Sequence, residues 1–281
     1  MATGRARPAT VFFADILGFS AMASTPGAQP AAGALADMAR LFRADKLGRH
    51  LRGTWARRYG LSDSLLLVAK DPRTAAAEAA GFCFDLAFYN SASLEGAVLL
   101  RGALTFGEVR ELDPLFPETG KANVVGEAVV RAVVLEKSGP KGPRLLVSDE
   151  LAARLDTWLL DRPDGGPSEL LWLLPPEGDP VNPEMIGDVA RSAVELFLRH
   201  STGGAAAHYA AYLDLVARSL LRLRARERER AALAIERSGI RRASPALERL
   251  ARGKSPEVAT LKRIGALVRE SRPAAPRRGG P

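Results

Sequence analysis

Apolar and polar positions repeat with two different periods along the first 155 residues, which predicts both strands and helices. Short apolar runs rich in β-branched or aromatic residues favour strands at 11–14, 54–59, 64–69, 97–106 and 144–147. Apolar stripes at helical spacing favour helices at 33–47, about 74–89 and about 126–137. The order βαββαβ predicts an α+β, ferredoxin-like domain in which helices cover one face of an antiparallel sheet.

The pattern changes after Trp158. Pro and Gly are dense between residues 161 and 185, which indicates an edge or linker rather than core. A helical pattern then continues from about residue 186 to residue 267, and Pro, Arg and Gly dominate from Ser271 onward. The expected parts are therefore a domain at 9–178, a helical C-terminal region at 179–270 and a disordered tail at 271–281.

The charge distribution and the cysteine content argue against several classes of protein. The formal charge is +8, yet the Arg-rich stretch 222–230 contains no interleaved aromatic residue, so we expect no nucleic-acid binding. Asp15 interrupts the first apolar segment, which argues against a signal peptide or a membrane span. The single cysteine, Cys83, excludes a disulfide framework and fits a reducing compartment. We expect a cytoplasmic protein that does not enter a membrane.

Two carboxylates stand where predicted strands end. Asp15 ends the first strand, and Asp63 lies at the tip of the predicted hairpin that should pair beside it. Two convergent carboxylates next to a turn can bind a hard cation. Gly18 permits a tight turn, and the amides of Gly18, Phe19 and Ser20 open a helix that could hold phosphate. The alternative is structural, with Asp15 as a helix cap and Asp63 as an ordinary turn residue.

Four collinear segments resemble the class III nucleotide cyclases. VFFADILGFS is similar to their first metal motif, and Ser62-Asp63 stands where they have Gly-Asp. Arg101 lies six residues before Gly107, as does the arginine that contacts the polyphosphate in that family. The segment 123–155 is similar to their later glycine-led helix, with its Leu-Glu, and the following strand. The resemblance covers about residues 9 to 155.

The resemblance implies a reaction and a set of ligands. Two divalent ions, Mn²⁺ or Mg²⁺, would be held by Asp15, Asp63 and the main-chain carbonyl of Ile16. They would orient the ribose 3′-hydroxyl and steady the leaving pyrophosphate, and Arg101 would neutralise phosphate charge. The family also implies a homodimer with composite active sites.

The positions that select the base depart from the adenylate cyclases. Tyr59 replaces the lysine that contacts adenine, four residues before the second metal aspartate. Asn123, three residues before Gly126, stands where the family often has a polar residue that contacts the purine. A phenol and an amide favour a smaller base, uracil or cytosine, and the amide does not choose between them. A Tyr59 that merely packs on the sheet is the competing interpretation.

A second departure concerns the helix after Gly126. The family carries Asn and, four residues later, Arg on this helix, but here the positions are Val130 and Val134. Arg131 is about 100° away around the helix and cannot simply substitute. Lys137 or an arginine from the C-terminal region could serve instead. Otherwise the site is slow or inactive.

Taken together, these features resemble most the bacterial pyrimidine cyclases of Pycsar antiphage systems. That likeness implies conversion of UTP to 3′,5′-cyclic UMP, with a downstream effector reached only through the cyclic nucleotide. The alternatives are a cytidylate cyclase making cyclic CMP, an adenylate or guanylate cyclase with an unusual base pocket, and a catalytically lapsed module that dimerises or binds nucleotide.

Overall fold

The computed structural model describes residues 5–43, 53–90, 98–114, 122–138, 141–162, 166–174, 182–200 and 205–235, together with residue 266. The chain divides into two compact units, residues 1–180 and residues 181–281. The expected disordered tail at 271–281 lies outside the described residues.

The first unit contains eight strands and five α-helices in its described part. The strands are β1 (Arg7–Ile16), β2 (Trp55–Leu61), β3 (Ser64–Ala69), β4 (Leu100–Leu112), β5 (Asn123–Val125), β6 (Leu145–Val147), β7 (Leu160–Asp161) and β8 (Ser168–Leu170). The helices are α1 (Phe19–Ala23), α2 (Gln29–Arg43), α3 (Pro72–Asn90), α4 (Glu127–Ser138) and α5 (Asp149–Ala152).

The sheet has the predicted ferredoxin-like core. Its strand order is β2-β3-β1-β4-β6-β8-β7, and β5 pairs with β4 outside this path. Each neighbouring pair among the first four strands is antiparallel, with β1 between β3 and β4. The α+β prediction is therefore confirmed. The extension beyond β4 begins with β6, which runs parallel to β4 and makes the sheet mixed.

Helices cover both faces of this sheet, so the prediction of helices on one face is wrong. Val11 and Phe13 of β1 pack in one apolar cluster with Ala128 and Ala132 of α4. Successive strand residues point to opposite faces, so Phe12 lies on the other face, where it is also fully buried. Helix α3 contacts β1 and β4, and we place it on this second face. The odd-numbered residues of β1 thus face α4.

Gly126 permits the close approach of α4 to β4. Its φ is 143°, a conformation that side chains rarely adopt, and an added Cβ would lie 2.3 Å from the carbonyl oxygen of Glu108. Thr105 of β4 donates its hydroxyl to the carbonyl of Ala128 at 2.7 Å, which ties the first turn of α4 to the sheet. Glycine at position 126 is therefore a steric requirement.

Part of the Pro- and Gly-rich segment belongs to the core, contrary to the prediction for that segment. Residues 168–174 are all buried, and Trp172 donates its indole N–H to the carbonyl of Pro143 at 2.8 Å. Glu169 of β8 is wholly buried and pairs with Arg144 at 3.1 Å. The many Pro and Gly residues of this segment predict turns, which hid the short buried strand β8 from the sequence pattern.

The second unit is helical over its described residues, as predicted. It contains α6 (Pro183–Arg199), α7 (Ala206–Arg222) and α8 (Ala225–Ile235). Helix α6 contacts both α7 and α8, and the wholly buried Tyr212 lies on α7. No helix in the described part of the chain is long and apolar enough to cross a membrane.

Candidate functional site

One end of the sheet carries polar side chains on the face that α4 covers. Asp15 of β1 is directly opposite Ser64 of β3 on one side and Arg101 of β4 on the other. Directly opposed residues of antiparallel strands project from the same face. Asp15 also has the same parity as Phe13, which packs towards α4. Asp15 and Arg101 are therefore neighbours on that face.

The turn between β2 and β3 brings Asp63 to the same end of β1. Ser62 and Asp63 connect the paired residues Leu61 and Ser64, and Ser62 has a φ of 57°. The amide of Ile16 donates to the carbonyl of Asp63 at 3.1 Å. The backbone therefore places Asp63 beside Asp15 and Ile16, one residue out of register with Asp15. We call Asp15, Ile16, Asp63, Arg101 and Glu136 the carboxylate cluster.

Glu136 of α4 completes this cluster, and its role was not predicted. Its side chain is wholly buried, and its Oε1 accepts a hydrogen bond from Nε of Arg101. The sequence feature that reveals its burial is the four-residue spacing of small residues along α4. The buried residues of this helix are Ala128, Ala132 and Glu136, which follow one another at intervals of four. A glutamate on such a stripe must face the sheet.

Two carboxylate oxygens in the cluster are buried and accept no hydrogen bond from any described residue. They are Oδ1 of Asp15 and Oε2 of Glu136. Burial raises the pKa of Glu136, Arg101 opposes this rise, and the negative charge of Asp15 adds to it. Buried carboxylate oxygens without a donor are costly. The cluster therefore has acceptor capacity that the described protein atoms do not use.

The donor set fits a hard divalent cation. Asp15, Asp63 and the carbonyl of Ile16 supply oxygen ligands only, and an unpartnered oxygen of Asp15 is already buried there. The described residues contain no group of three or more His, Cys, Asp or Glu that could hold a metal by themselves. Mg²⁺ typically takes one or two carboxylates and completes its shell with water and substrate phosphates. The cluster fits an ion of this kind.

The expected phosphate cradle is built on a very short helix. Gly18 caps α1 with a φ of 78°, as the tight turn after Asp15 requires. Helix α1 has only five residues, so its dipole is weak. Phe19 is half-buried and Ser20 is exposed. Arg101 is therefore the stronger candidate for binding phosphate.

Tyr59 and Asn123 lie together, away from the carboxylate cluster. Tyr59 donates its hydroxyl to the carbonyl of Ala122 at 2.7 Å, and Asn123 is the next residue. Nδ2 of Asn123 donates to the carbonyl of Asp113 at 2.9 Å. Tyr59 is opposite Leu66 of β3, and Leu66 is opposite Phe13 of β1, two residues before Asp15. Two strand spacings across the sheet and two residues along β1 separate Tyr59 from Asp15 by about 12 Å. Within one chain, the structure does not bring these residues to Asp15.

The outer face of α4 is apolar. Val130 is 64% exposed and Val134 is 60% exposed, and Val125 of the adjacent β5 is 44% exposed. Arg131, between the two valines, pairs with Glu127 and also with Glu150 at 2.5 Å. Its guanidinium is therefore engaged on the protein surface. Lys137 is exposed in the last turn of α4.

Comparison with known proteins gives similarities of fold only. No protein-family model matches the chain, and no curated protein sequence matches it. The guanylyl cyclase Cya2 is 17% identical, with a TM-score of 0.47 over 64% of this chain and 100% of that one. The adenylyl cyclase CyaB from P. aeruginosa is 16% identical, with a TM-score of 0.43 over 60% of this chain and 94% of that one. An adenylate cyclase from Trypanosoma brucei is 16% identical, with a TM-score of 0.41 over 58% and 86%. Values this low assign no activity to the chain.

Proposed function

We propose that this chain is a class III nucleotide cyclase that converts UTP to 3′,5′-cyclic UMP and pyrophosphate. The observation that carries the proposal is the juxtaposition of Asp15, Arg101 and the Asp63 turn at one end of one sheet face. A purely structural module has no need for a half-buried acid whose oxygen lacks a donor. The role in antiphage signalling, through an effector that binds the cyclic nucleotide, rests on the motif resemblance alone.

Asp15, Asp63 and the carbonyl of Ile16 would hold two divalent ions, Mn²⁺ or Mg²⁺. When bound, such ions neutralise phosphate charge and lower the pKa of the attacking 3′-hydroxyl. The carboxylates would fix the position of the triphosphate relative to the sheet edge. Positioning of this kind supplies much of the rate in phosphoryl transfer.

Arg101 would bind the leaving group. The 3′-oxygen forms a bond to the α-phosphorus while the bond from that phosphorus to the β-phosphate oxygen breaks, and the hydroxyl proton passes to water. Negative charge then grows on the departing pyrophosphate. The side chain of Arg101 is 29% exposed, and its guanidinium can donate charge-assisted hydrogen bonds to those oxygens.

Tyr59 and Asn123 would contact the base. Each side chain already donates one hydrogen bond to a main-chain carbonyl. The Tyr59 oxygen and Asn123 Oδ1 can therefore serve as acceptors for the base. Acceptors suit N3–H of uracil or the amino group of cytosine. That observation supports CTP, with cyclic CMP as product, as a second candidate substrate.

A homodimer would explain how one active site can use both the carboxylate cluster and the pair Tyr59 and Asn123, which lie apart within one chain. The carboxylate cluster of one chain and Tyr59 and Asn123 of its partner would then form one composite site. The exposed Val130 and Val134 supply an apolar surface on α4 for such an interface.

The same valines favour a second function, a lapsed cyclase-like module that binds nucleotide or dimerises without turnover. The exposed face of α4 offers Val130 and Val134 where cyclases carry a polar pair. Losing a transition-state arginine can cost several powers of ten in rate. Product formation separates the two functions.

The test is an incubation of the purified protein with Mn²⁺ and each of the four nucleoside triphosphates, with products identified by mass. We expect cyclic UMP, and at least about a 100-fold loss in Asp63→Asn because a ligand carboxylate is removed. The matched control is Asp71→Asn, since Asp71 accepts from the amide of Thr74 at the start of α3 and Asn can do the same.

A product other than cyclic UMP would support a different one of the proposed functions. Cyclic CMP as the main product would support the second substrate. Cyclic AMP or GMP would refute the roles of Tyr59 and Asn123 in selecting a pyrimidine. Nucleotide binding without any product would support the lapsed module, and equal activity in Asp63→Asn would contradict the metal assignment.

A further inference from the structure

The contact between Arg101 and Glu136 uses only one edge of the guanidinium. Nε of Arg101 donates to Oε1 of Glu136, and no other hydrogen bond joins this guanidinium to a described residue. The two terminal nitrogens form the opposite, end-on edge of the planar group. Arg101 is 29% exposed whereas Glu136 is wholly buried, so the anchored edge is the inner one.

A charged residue at position 136 is costly for the fold. Glu136 follows Ala128 and Ala132 on the stripe of α4 that packs against the sheet, where an apolar side chain would bury without penalty. One of its oxygens, Oε2, has no donor among the described residues, and the neighbouring Asp15 carries like charge. A buried pair of this kind adds little stability over a well-packed apolar replacement. The glutamate therefore needs an explanation beyond packing.

We propose that Glu136 is a positioning residue that holds Arg101 by Nε and keeps its two terminal nitrogens directed towards the triphosphate. The proposal rests on the proposed function, which assigns phosphate binding to Arg101. An arginine side chain has several rotatable bonds, and fixing it before substrate arrives removes an entropic cost from binding. Glu136 then acts only through Arg101.

Positioning and simple electrostatics predict opposite results when Glu136 is replaced. Removal of a negative charge beside a phosphate site strengthens anion binding on Coulombic grounds alone. Loss of the anchor weakens it, because the guanidinium is no longer oriented. Weaker anion binding after replacement of Glu136 would therefore indicate that orientation of Arg101 dominates, and tighter binding would indicate that charge dominates.

The experiment is a calorimetric titration of the full-length protein with inorganic tripolyphosphate in the presence of Mg²⁺. Glu136→Met fills the volume without an acceptor, and Glu136→Gln keeps an oxygen that can accept from Nε. Arg101→Met and the double variant Arg101→Met/Glu136→Met complete a double-mutant cycle. Glu127→Ala is the control, since Glu127 is on the same helix and also pairs with an arginine, but at an exposed position.

We expect Glu136→Met to weaken tripolyphosphate binding about tenfold, the effect of losing one well-formed charge-assisted hydrogen bond. Glu136→Gln should stay within about threefold of the unmodified protein, since a neutral acceptor keeps part of the orientation. In the Arg101→Met background, Glu136→Met should have no further effect. Glu127→Ala should bind as the unmodified protein does.

Several results would overturn the proposal. They are unchanged or tighter binding in Glu136→Met, an equal loss in the Arg101→Met background, and absence of binding by the unmodified protein. A fall in melting temperature without a change in affinity would show that the pair is only structural. If the unmodified protein forms no cyclic nucleotide but the binding pattern holds, the proposed function fails and the assignment of Glu136 stands.

Discussion

Arg101 has one acidic neighbour on each of two elements. Asp15 is its cross-strand neighbour on β1, and Glu136 approaches from α4. Its positive charge reduces the cost of keeping a wholly buried glutamate ionised, which burial alone opposes by raising its pKa. One guanidinium thus serves the fold and the proposed phosphate site at once.

Tyr59 and Asn123 show how local hydrogen bonds limit what a side chain can offer a ligand. The phenol donates to Ala122 and the amide donates to Asp113. The sequence indicates that both residues are polar near a base pocket, but it does not indicate which donors the backbone already uses. Tyr59 keeps an acceptor, and Asn123 keeps its Oδ1 acceptor and one N–H donor, so both pyrimidines stay candidates.

At the scale of elements, α4 positions the site, and its position depends on Gly126. We expect Gly126→Ala to lower the free energy of unfolding by about 2–4 kcal/mol, because the new Cβ meets the carbonyl of Glu108 and the φ is strained. The control is Gly33→Ala inside α2, where an added Cβ meets nothing within 4 Å. That change should raise the free energy of unfolding by up to about 1 kcal/mol.

Urea denaturation of both variants measures these changes. Equal stability of Gly126→Ala and the unmodified protein would show that the α4–β4 contact can shift without cost. A Gly126→Ala variant that folds should also bind tripolyphosphate more weakly, since Glu136 moves with α4.

The longer elements were predictable because each has a clear period. The hairpin of β2 and β3, helix α3 and helix α4 lie within a few residues of their predicted positions. β1 extends to Arg7–Ile16 beyond the predicted 11–14 because residues 7–10, which lie outside the predicted apolar run, also pair with β4. Tertiary pairing, rather than local pattern, sets that boundary.

Two of the shortest strands and the direction of β6 were not predictable for a related reason, although the position of β6 was predicted. Strands of two or three residues, such as β5 and β7, are too short to show a period. The parallel pairing of β6 with β4 depends on the path of the chain after α4, which local sequence does not encode.

The sequence predicted four of the five members of the carboxylate cluster, all except Glu136. Asp15, Asp63 and Arg101 lie in separate segments, and the topology brings their backbones together. Their roles in metal and phosphate binding stay predictions. Glu136 was overlooked because a glutamate near the end of a helix ordinarily faces solvent, and only the alanine stripe reveals its orientation.

At the scale of the whole molecule, the proposed homodimer makes a prediction about α4. An interface that buries Val134 should not tolerate a charge there, so Val134→Asp should shift the protein from dimer to monomer in sedimentation experiments. Cyclic nucleotide formation should fall with it, because each composite site needs both chains. Leu221→Asp is the control, since Leu221 is an exposed apolar residue of the helical unit.

Sedimentation at several concentrations distinguishes the outcomes. A dimer that persists in Val134→Asp would contradict an interface through α4. An unmodified protein that is monomeric at all concentrations, yet active, would contradict composite sites altogether.

The central claim is that Asp15 and Asp63 jointly bind divalent cations, and a titration with Mn²⁺ followed by electron paramagnetic resonance tests it most directly. With tripolyphosphate present, we predict tight Mn²⁺ binding by the unmodified protein and affinity at least about 100-fold weaker in both Asp15→Asn and Asp63→Asn. Asp71→Asn should bind as the unmodified protein does. Undiminished Mn²⁺ affinity in either Asp15→Asn or Asp63→Asn would contradict the account.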